Sequence, residues 1–426
     1  MNDRQSAFKI LNKIEKDKAY TNLALDSYLR TNAREVYSSS FVTVLVYGVT
    51  ERIVTLDWVL SKYLQKPLKK LKPEVLTILR MGAYQLKFMD SVPDSAAVNE
   101  SVKLAKNNGC AFASGLVNSV LRKVSADELE YPETDDPIFD MSIRYSCPYS
   151  LVSHYCADYG TENAEGILSR SIGKQGIFAR VNTLKTDFDK LKTSFVKDNI
   201  EITPCDGIEN HFEFKTHCAV ESLVQYSDGL FHIQDISSAI CVKSLELKEN
   251  LTLIDVCAAP GGKTFTAAQY MNNKGKIYAF DLYEHRVKLI SDGAKRLGID
   301  IVSAQQWDAL AVKDDLKNTA DRVLCDVPCS GLGVIGRKPE IRYKDLGSID
   351  KLNQTQYNIL VNASEYLKPD GLLVYSTCSL NKAENENVCD KFLSQHPQFE
   401  KHREYLTLFP HINNSDGFFI AVFRRT

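Results

Sequence analysis

Residues 251–264 read LTLIDVCAAPGGKT, a short apolar run that ends in a glycine-containing loop. Comparable apolar runs recur along the chain, and stretches with helical periodicity separate them. These runs are LTLIDVCA (251–258), KIYAFDL (276–282), IVSAQQWD (301–308), DRVLCDVP (321–328) and GLLVYSTCS (371–379). Such strands, alternating with helices, predict a mostly parallel sheet that is covered on both faces. A final run, GFFIAVFRR (417–425), follows a loop, and we expect it to join the sheet as an antiparallel strand.

The composition of the whole chain is that of a globular protein. Its 426 residues suggest more than one domain, since a domain takes roughly 150 residues. Hydrophobic residues at 44% and charged residues at 25% argue against collagen-like repeats and extensive disorder. No apolar stretch reaches the roughly 18 residues of a membrane span, and the N-terminus has no secretory h-region. We therefore expect a cytoplasmic protein whose 11 cysteines are reduced thiols.

Four segments of the chain differ in their sequence pattern. Residues 1–125 repeat apolar residues at helical spacing and predict an all-α domain. Residues 126–140 hold seven acids, two prolines and no base, which predicts a linker. Residues 141–225 mix strand-like and helical stretches and predict a small α+β module, and residues 226–426 contain the predicted parallel sheet. One helical stripe of the first segment consists of Ala7, Ile10, Leu11 and Ile14.

Basic residues are unevenly distributed along the chain. The net charge of −2 excludes a uniformly basic RNA-coating protein but allows one basic face. Residues 1–125 carry 19 Lys and Arg against 11 Asp and Glu, an excess that suits either an RNA-binding face or an ordinary solvated surface. Both interpretations also apply to the loop GRKPEIRY (336–343), in which Arg337, Lys338 and Arg342 are candidates for contacts with RNA phosphates.

The loop after the first strand of the sheet is a candidate ligand site, because open α/β sheets bind ligands at the carboxyl ends of their strands. Gly261 and Gly262 allow close approach of the backbone, and the helix that follows offers amides to a carboxylate or phosphate. A Walker A loop requires glycine where Cys257 stands, and the GxGxxG fingerprint is missing. The loop therefore predicts a ligand without a polyphosphate.

Two aspartates extend this candidate site. Asp281 ends the second strand, where an acid commonly bonds ribose hydroxyls, and Asp308 ends the third, where it can accept from an adenine amino group. Taken singly, each is more often a helix cap or a turn residue. Taken together with the anion site at the helix N-terminus, they match the parts of S-adenosylmethionine, which we predict as the cofactor.

Two cysteines follow the next two strands, Cys329 in DVPCSG and Cys378 in STCS. We expect both to face one cleft, although an isolated cysteine is usually an inert buried residue. A zinc site is an alternative, since Cys325 and Cys329 have C-x3-C spacing. These two cysteines straddle a strand end and no histidine stands at ligand spacing nearby, so we expect no metal.

The motifs DVCAAPGGKT, DVPCSGLG and YSTCSL, in this order, resemble those of the Sun-type (NOL/NOP/Sun) RNA cytosine-5 methyltransferases. Within the first 125 residues, AAVNESVKLAK and FASGLVNSVLRK are similar to the antitermination factor NusB. The resemblance covers nearly the whole chain and is strongest in residues 250–380. It implies a NusB-like all-α domain, a small α+β module and a Rossmann-like class I methyltransferase domain. The implied reaction is methyl transfer to carbon 5 of cytosine 967 in 16S ribosomal RNA.

The resemblance also implies roles for individual residues. Cys378 is implied as the nucleophile, Cys329 as the residue that assists release, and Asp326 as the partner of N3 and the exocyclic amine. Donation to N3 requires a protonated Asp326 with a raised pKa, whereas attack requires a Cys378 thiolate, and the sequence does not reconcile these demands. The implied cofactor residues are Cys257, Ala258, Ala259, Pro260, Gly261, Gly262, Lys263, Asp281, Asp308 and Asp326.

The sequence allows alternatives for two basic residues and for the function. Lys263 either faces the methionine carboxylate or caps its helix on the solvent side, and Arg286 is expected on a solvated face. The same chemistry on a transfer RNA, a non-catalytic RNA-binding ribosome assembly factor and a metal-dependent enzyme are the alternative functions. The presence of both cysteines disfavours the second alternative, and the NusB-like domain favours 16S ribosomal RNA. We expect a monomer without membrane attachment.

Overall fold

The computed structural model describes four segments of the chain, residues 3–17, 19–32, 36–216 and 219–426. It divides the chain into two compact units. The first, called the helical unit, comprises Met1–Gly173 and Ile335–Lys344. The second, called the sheet unit, comprises Lys174–Val334 and Asp345–Thr426. The predicted fold class, a helical domain followed by a Rossmann-like domain with a mostly parallel sheet, is confirmed.

The helical unit packs amphipathic helices around one apolar core. The stripe predicted at the N-terminus is buried in the first helix, and the fifth helix begins at Pro73, where a missing N–H has no intrahelical partner to lose. Its helices are α1 (Asp3–Asp17), α2 (Thr21–Thr31), α3 (Ser39–Glu51), α4 (Ile53–Ser61), α5 (Pro73–Phe88), α6 (Asp94–Asn107), α7 (Ser114–Ala126), α8 (Pro137–Arg144) and α9 (Tyr149–Arg170).

The units differ from the predicted domains in where they divide the chain. The predicted 141–225 module is divided after Gly173, because α8 and α9 belong to the helical unit. α8 buries Met141 and Ile143, and the hydroxyl of Thr55 in α4 donates a hydrogen bond of 2.6 Å to the Ile143 carbonyl. The short segment 335–344 also belongs to the helical unit, although its sequence neighbours belong to the sheet unit.

The sheet unit begins with a small antiparallel sheet. Its strands are ordered β2-β3-β1-β4, and its core is a cluster of phenylalanine rings, Phe195, Phe212, Phe214 and Phe231. Since the last strand lies beyond residue 225, this sheet extends past the predicted module. The elements are β1 (Ile177–Val181), α10 (Phe188–Val196), β2 (Ile202–Pro204), β3 (His211–Phe214), α11 (Val224–Ser227) and β4 (Phe231–Ile233).

The rest of the sheet unit is an eight-stranded sheet with helices between its strands. Its strand order is β10-β12-β9-β8-β5-β6-β7, and β11 pairs with β12. The elements are α12 (Ile236–Lys243), β5 (Thr252–Asp255), α13 (Gly262–Tyr270), β6 (Lys276–Asp281), α14 (Glu284–Leu297), β7 (Val302–Gln306), β8 (Ala320–Asp326), α15 (Ile349–Ser364), β9 (Leu367–Thr377), α16 (Glu386–Gln395), β10 (Phe399–Lys401), β11 (Leu406–Leu408), α17 (Pro410–Asn413) and β12 (Phe418–Arg425).

The direction of these strands positions the candidate site. β5 to β9 pair in parallel, and β12 lies antiparallel to β9, as predicted. The strand order reverses at β5, which has β6 on one side and β8 on the other. The carboxyl ends of β5, β6, β8 and β9 therefore meet at one edge, beside the point where this type of sheet binds its ligands.

Among the described residues, no single helix is both long and apolar enough to cross a membrane. Helices α3 and α4 together have the length and composition of a membrane span, but they are bent by 73° relative to each other.

Candidate functional site

The loop between β5 and α13 contains the predicted cofactor residues from Cys257 to Lys263. Gly261 has a φ of 110°, and a Cβ at this position would lie 2.3 Å from the ring of Phe265. Only glycine suits both the left-handed conformation and the close approach. The chain turns here directly into α13, which begins at Gly262, so the first amides of that helix point toward the loop.

Asp281 lies at the end of β6 and is almost fully buried. Its carboxylate forms an ion pair of 3.1 Å with the guanidinium of Arg286, which also donates to the Ala259 carbonyl at 3.0 Å. The Arg286 side chain is 41% exposed, as expected for a solvated face, but its guanidinium also joins the end of β6 to the loop after β5. The sequence signal for this ion pair was the position of Arg286, five residues after Asp281 and on the helix that follows β6.

Asp308 follows β7 and is exposed. Its Oδ1 accepts a hydrogen bond of 2.9 Å from the amide of Leu310, and its carbonyl accepts from the amide of Ala311. Asp308 therefore has the turn role that competed with ligand binding in the sequence analysis. A contact between its carboxylate and adenine stays a prediction.

Lys263 and Asp326 form an ion pair at the end of β8. The Lys263 Nζ lies 2.8 Å from Asp326 Oδ2, and the hydroxyl of Ser376 donates to Asp326 Oδ1 at 2.7 Å. Burial lowers the pKa of Lys263, but attraction to the Asp326 carboxylate and the hydrogen bond with it outweigh burial and raise this pKa, so the ammonium is retained. Lys263 therefore does not cap its helix on the solvent side, because its ammonium is paired with Asp326. Both oxygens of Asp326 act as acceptors.

Cys329 and Cys378 are brought together from the loops after β8 and β9. Their sulfur atoms lie 3.0 Å apart, and both side chains are half-buried. The hydrogen bond with Cys378 raises the pKa of Cys329 well above its usual value, and burial adds to this effect. Cys329 therefore keeps its proton and can donate it in a hydrogen bond to Cys378.

Gly333 supports this arrangement of the two loops. Its amide donates to the Cys378 carbonyl at 2.9 Å, and a Cβ on Gly333 would lie only 1.9 Å from the carbonyl oxygen of Gly417. A side chain at position 333 would therefore force the backbone beside Cys378 to move.

The other cysteines of this region are placed differently. Cys325 is fully buried inside β8, and burial raises the pKa of both Cys325 and Cys257 well above the usual value. Among the described residues, no three His, Cys, Asp or Glu side chains are grouped so that they could hold a metal ion.

The three basic residues proposed to contact RNA lie in the segment 335–344 of the helical unit. Lys338 is exposed, Arg337 is half-buried, and the Lys338 Nζ lies 5.6 Å from the ring centre of Tyr20. Arg342 is 1% exposed, and its guanidinium donates to main-chain carbonyls. These carbonyls belong to Glu51, Tyr145, Ser146, Ser171 and Ile335. The proposal of Arg342 as a phosphate contact is therefore wrong, because its donors are directed into the unit.

Asp255 at the end of β5 gives a prediction about pH. This acid is buried, its Oδ2 accepts from the Thr264 hydroxyl at 2.7 Å, and burial raises its pKa to about 7. Between the unfolded pKa of about 4 and this value, the folded chain binds more protons than the unfolded chain, so the free energy of unfolding falls as pH rises. We expect Asp255→Asn to remove this fall, which amounts to about 4 kcal/mol at most.

Urea unfolding of the wild type and of Asp255→Asn at pH 5 and pH 8 measures this effect. Wild type is expected to lose stability between the two values, and the variant is expected to lose less. Parallel changes in both proteins would contradict a raised pKa at Asp255.

Two family models match the chain. The model described as "16S rRNA methyltransferase RsmB/F" matches residues 242–424, and the model described as "NusB family" matches residues 1–126. The first match contains the loop after β5 and both cysteine loops, and the second contains α1 to α7.

Relatives and solved structures align over most of the chain. "Probable ribosomal RNA small subunit methyltransferase B" of Bacillus subtilis (strain 168) is 34% identical over 441 residues, which cover 99% of this chain and 98% of the relative. The protein of the same name from Synechocystis sp. is 34% identical over 440 residues, with 98% of each chain covered. The solved structure described as "Crystal Structure of PH0851" has a TM-score of 0.83 at 25% identity and covers 99% of this chain and 98% of its own. A "Methyltransferase Homolog Protein from Pyrococcus Horikoshii" has a TM-score of 0.61 at 27% identity and covers 69% of this chain and 100% of its own.

Proposed function

Because the chain belongs to the 16S rRNA methyltransferase RsmB/F family, whose members use S-adenosylmethionine to methylate carbon 5 of cytosine, we propose that it modifies cytosine 967 of 16S ribosomal RNA. The observation that carries this proposal is the pair of sulfurs, Cys329 and Cys378, 3.0 Å apart beside the Lys263–Asp326 ion pair. The target base must leave its stack to reach these groups, as in other enzymes that modify bases.

The loop after β5 and the end of β6 fit S-adenosylmethionine. Gly261 keeps the loop free of a side chain, the N-terminal amides of α13 suit the methionine carboxylate, and Asp281 suits the ribose hydroxyls. Residues Cys257 to Lys263 would line this place, and Asp308 would accept from the adenine amine. When bound, the cofactor supplies an electrophilic methyl group.

Cys378 is the nucleophile of the proposed reaction. Carbon 5 of cytosine attacks a methyl group poorly, but a thiolate that adds to carbon 6 turns the ring into a reactive enamine. A bond forms between Cys378 Sγ and carbon 6 as the double bond between carbons 5 and 6 opens. Carbon 5 would then take the methyl group as the bond from that methyl group to the cofactor sulfur breaks. The hydrogen on carbon 5 leaves as a proton to water, its electron pair restores the double bond, and the bond between sulfur and carbon 6 breaks to return the thiolate. The positive charge of Lys263, whose raised pKa reflects the neighbouring Cys378 among other groups, favours the thiolate at the start and end of this cycle.

Asp326 and Cys329 act on the base and on the leaving sulfur. Both Asp326 oxygens already accept hydrogen bonds, from Lys263 and Ser376, so we assign Asp326 as an acceptor for the exocyclic amine. N3 of the base then takes a proton from water as the thiolate adds, and it returns that proton as the sulfur leaves. Cys329, which keeps its proton, donates a hydrogen bond to Cys378 as the bond to carbon 6 breaks.

Bisulfite sequencing of ribosomal RNA tests the proposed function, because 5-methylcytosine resists deamination. Cytosine 967 is expected to be protected in wild-type cells and converted in cells that lack this chain. Complementation with wild type restores protection. A change in a transfer RNA would identify the alternative substrate, and unchanged methylation in every RNA would favour a non-catalytic assembly factor.

Arg337 and Lys338 are proposed to contact RNA phosphates. Each lost phosphate contact should reduce the slope of log affinity against log salt by about 1. We expect Arg337→Ala with Lys338→Ala to weaken RNA binding and to flatten this slope, measured by filter binding at several salt concentrations. Lys288→Ala is a suitable control, since this lysine is exposed on α14 of the sheet unit and pairs with Asp292 within that helix. Equal slopes in all three proteins would remove the segment 335–344 from the RNA-binding surface.

The remaining properties are also proposals. We place the protein in the cytoplasm, where ribosomal RNA is modified, and we assign it as a monomer with 16S ribosomal RNA as its partner. Sedimentation of the purified chain at several concentrations tests the monomer.

A further inference from the structure

Glu384 is a fully buried carboxylate that lies beyond the residues assigned above. It accepts five hydrogen bonds from neutral donors. Oε1 accepts from the Ser330 amide at 2.8 Å and from Gln356 Nε2 at 3.0 Å. Oε2 accepts from the hydroxyls of Ser330 at 2.5 Å and Ser379 at 2.6 Å, and from Asn381 Nδ2 at 3.1 Å. A carboxylate has about four lone-pair positions, so these five donors take up all of its acceptor capacity.

Two of the residues that donate to Glu384 are neighbours in sequence of the two cysteines. Ser330 immediately follows Cys329, and Ser379 immediately follows Cys378. The carboxylate of Glu384 therefore joins the two cysteine loops one residue away from each sulfur. The two serine hydroxyls also lie 2.8 Å from each other, which completes a buried network between the loops.

Neighbouring contacts hold this network in place. Gln356 Nε2 donates to the Pro328 carbonyl at 3.0 Å as well as to Glu384, so it fixes the residue before Cys329. The hydroxyl of Tyr375 donates to the main-chain carbonyl of Glu384 at 2.6 Å. These bonds restrict the carboxylate to one position, since a buried polar group that lost its partners would be costly.

We propose that Glu384 is a positioning residue for methyl transfer, which keeps the sulfur of Cys329 within hydrogen-bond distance of the sulfur of Cys378. The proposal rests on the function proposed for the two cysteines. Its consequence is specific: when the two loops separate, Cys329 no longer assists the departure of Cys378, and the covalent intermediate lasts longer. The charge of Glu384 is also among the causes, after the hydrogen bond with Cys378 and burial, that raise the pKa of Cys329.

Glu384→Gln tests this proposal in the full chain. An amide keeps the size of the side chain but has one acceptor oxygen, so it cannot accept all five bonds. We expect kcat to fall by about 10- to 100-fold, as for a small misplacement of catalytic groups. The KM for S-adenosylmethionine should stay unchanged, and a larger share of the enzyme should be captured as a covalent adduct on a 16S ribosomal RNA fragment.

A chemical readout separates this proposal from the proposed function. Phenylarsine oxide bridges two thiols that lie close together, and mass spectrometry of peptides locates the bridge. Wild type should be bridged between Cys329 and Cys378, whether or not it methylates RNA, and Glu384→Gln should be bridged about 10-fold more slowly because the loops are no longer held. Unchanged bridging in Glu384→Gln would overturn the positioning role, whatever its activity.

Asp321→Asn is the matched control for lost stability. Asp321 lies on β8 at the end opposite Asp326, and its carboxylate accepts from the Thr252 amide at 2.8 Å and pairs with Lys368 at 2.7 Å. This variant should lower the thermal midpoint but keep bridging and kcat. If Asp321→Asn lost both to the same extent as Glu384→Gln, general destabilisation would explain the result and the proposal would be rejected.

A second pair of variants covers the case in which Glu384→Gln fails to fold. Ser330→Ala and Ser379→Ala each remove one hydroxyl from the network and leave Glu384 with its other donors. Each should slow bridging and methyl transfer less than Glu384→Gln does. The double variant should slow both processes more than either single serine variant. A double variant with wild-type bridging would also overturn the proposal.

Discussion

Replacement of Cys378 by alanine is expected to abolish methyl transfer while binding of S-adenosylmethionine is kept. The cysteine lies in the loop directly after β9, and its sulfur is 3.0 Å from that of Cys329. Without the thiolate, carbon 5 of the base is not activated, and loss of an enzyme nucleophile costs on the order of 10⁴-fold or more in rate. Transfer of labelled methyl groups to RNA measures the rate, and calorimetry with S-adenosylmethionine measures the retained affinity.

The control for this variant is Cys156→Ala. Cys156 is a half-buried thiol of α9 in the helical unit, so its removal should leave methyl transfer close to the wild-type rate. Turnover by Cys378→Ala near the wild-type rate would exclude Cys378 as the nucleophile and would transfer that role to Cys329.

Replacement of Cys329 by alanine should have the opposite signature, a stable protein–RNA adduct. Attack by Cys378 still takes place, but the departing sulfur loses the hydrogen bond that Cys329 supplies. A missing proton-transfer or hydrogen-bond partner typically costs about 10²- to 10⁴-fold, and here this cost falls on release. Denaturing electrophoresis should show RNA that migrates with the protein, and mass spectrometry should place the RNA on Cys378.

The double variant Cys329→Ala with Cys378→Ala shows whether the adduct forms through the assigned sulfur. It should form no adduct, because the nucleophile is missing. Product release by Cys329→Ala at the wild-type rate, without an adduct, would contradict the role assigned to Cys329.

Much of the fold follows from local patterns in the sequence. The apolar runs that end at Asp255, Asp281 and Asp326 are parallel strands, because a strand buried on both faces needs apolar side chains at nearly every position. The final strand is antiparallel to its neighbour, as predicted from the loop that precedes it in place of a long helix. The division after Gly173 was not predictable in this way, since α8 has the same helical periodicity whichever unit it packs against.

The site residues that directly follow strands could be predicted from the sequence. The topology places Cys329 and Cys378 at neighbouring strand ends, and the structure brings their sulfurs together. Pairings between distant polar side chains were missed, because sequence spacing gives no information on them. Lys263 pairs with Asp326, 63 residues away, and Arg342 bonds to carbonyls up to 291 residues away. For Glu384, the only signal was an acid close after the STCS motif.

The segment 335–344 limits how this protein can be rearranged in evolution or by genetic engineering. It lies in the sequence between Cys329 and Cys378, yet it belongs to the helical unit, so the backbone passes from one unit to the other at three places. Deleting residues 1–173 would remove the carbonyls of Glu51, Tyr145, Ser146 and Ser171, to which the buried Arg342 donates. A shortened enzyme would therefore also need a different insert between Cys329 and Cys378, and simple loss of the N-terminal domain would not produce one.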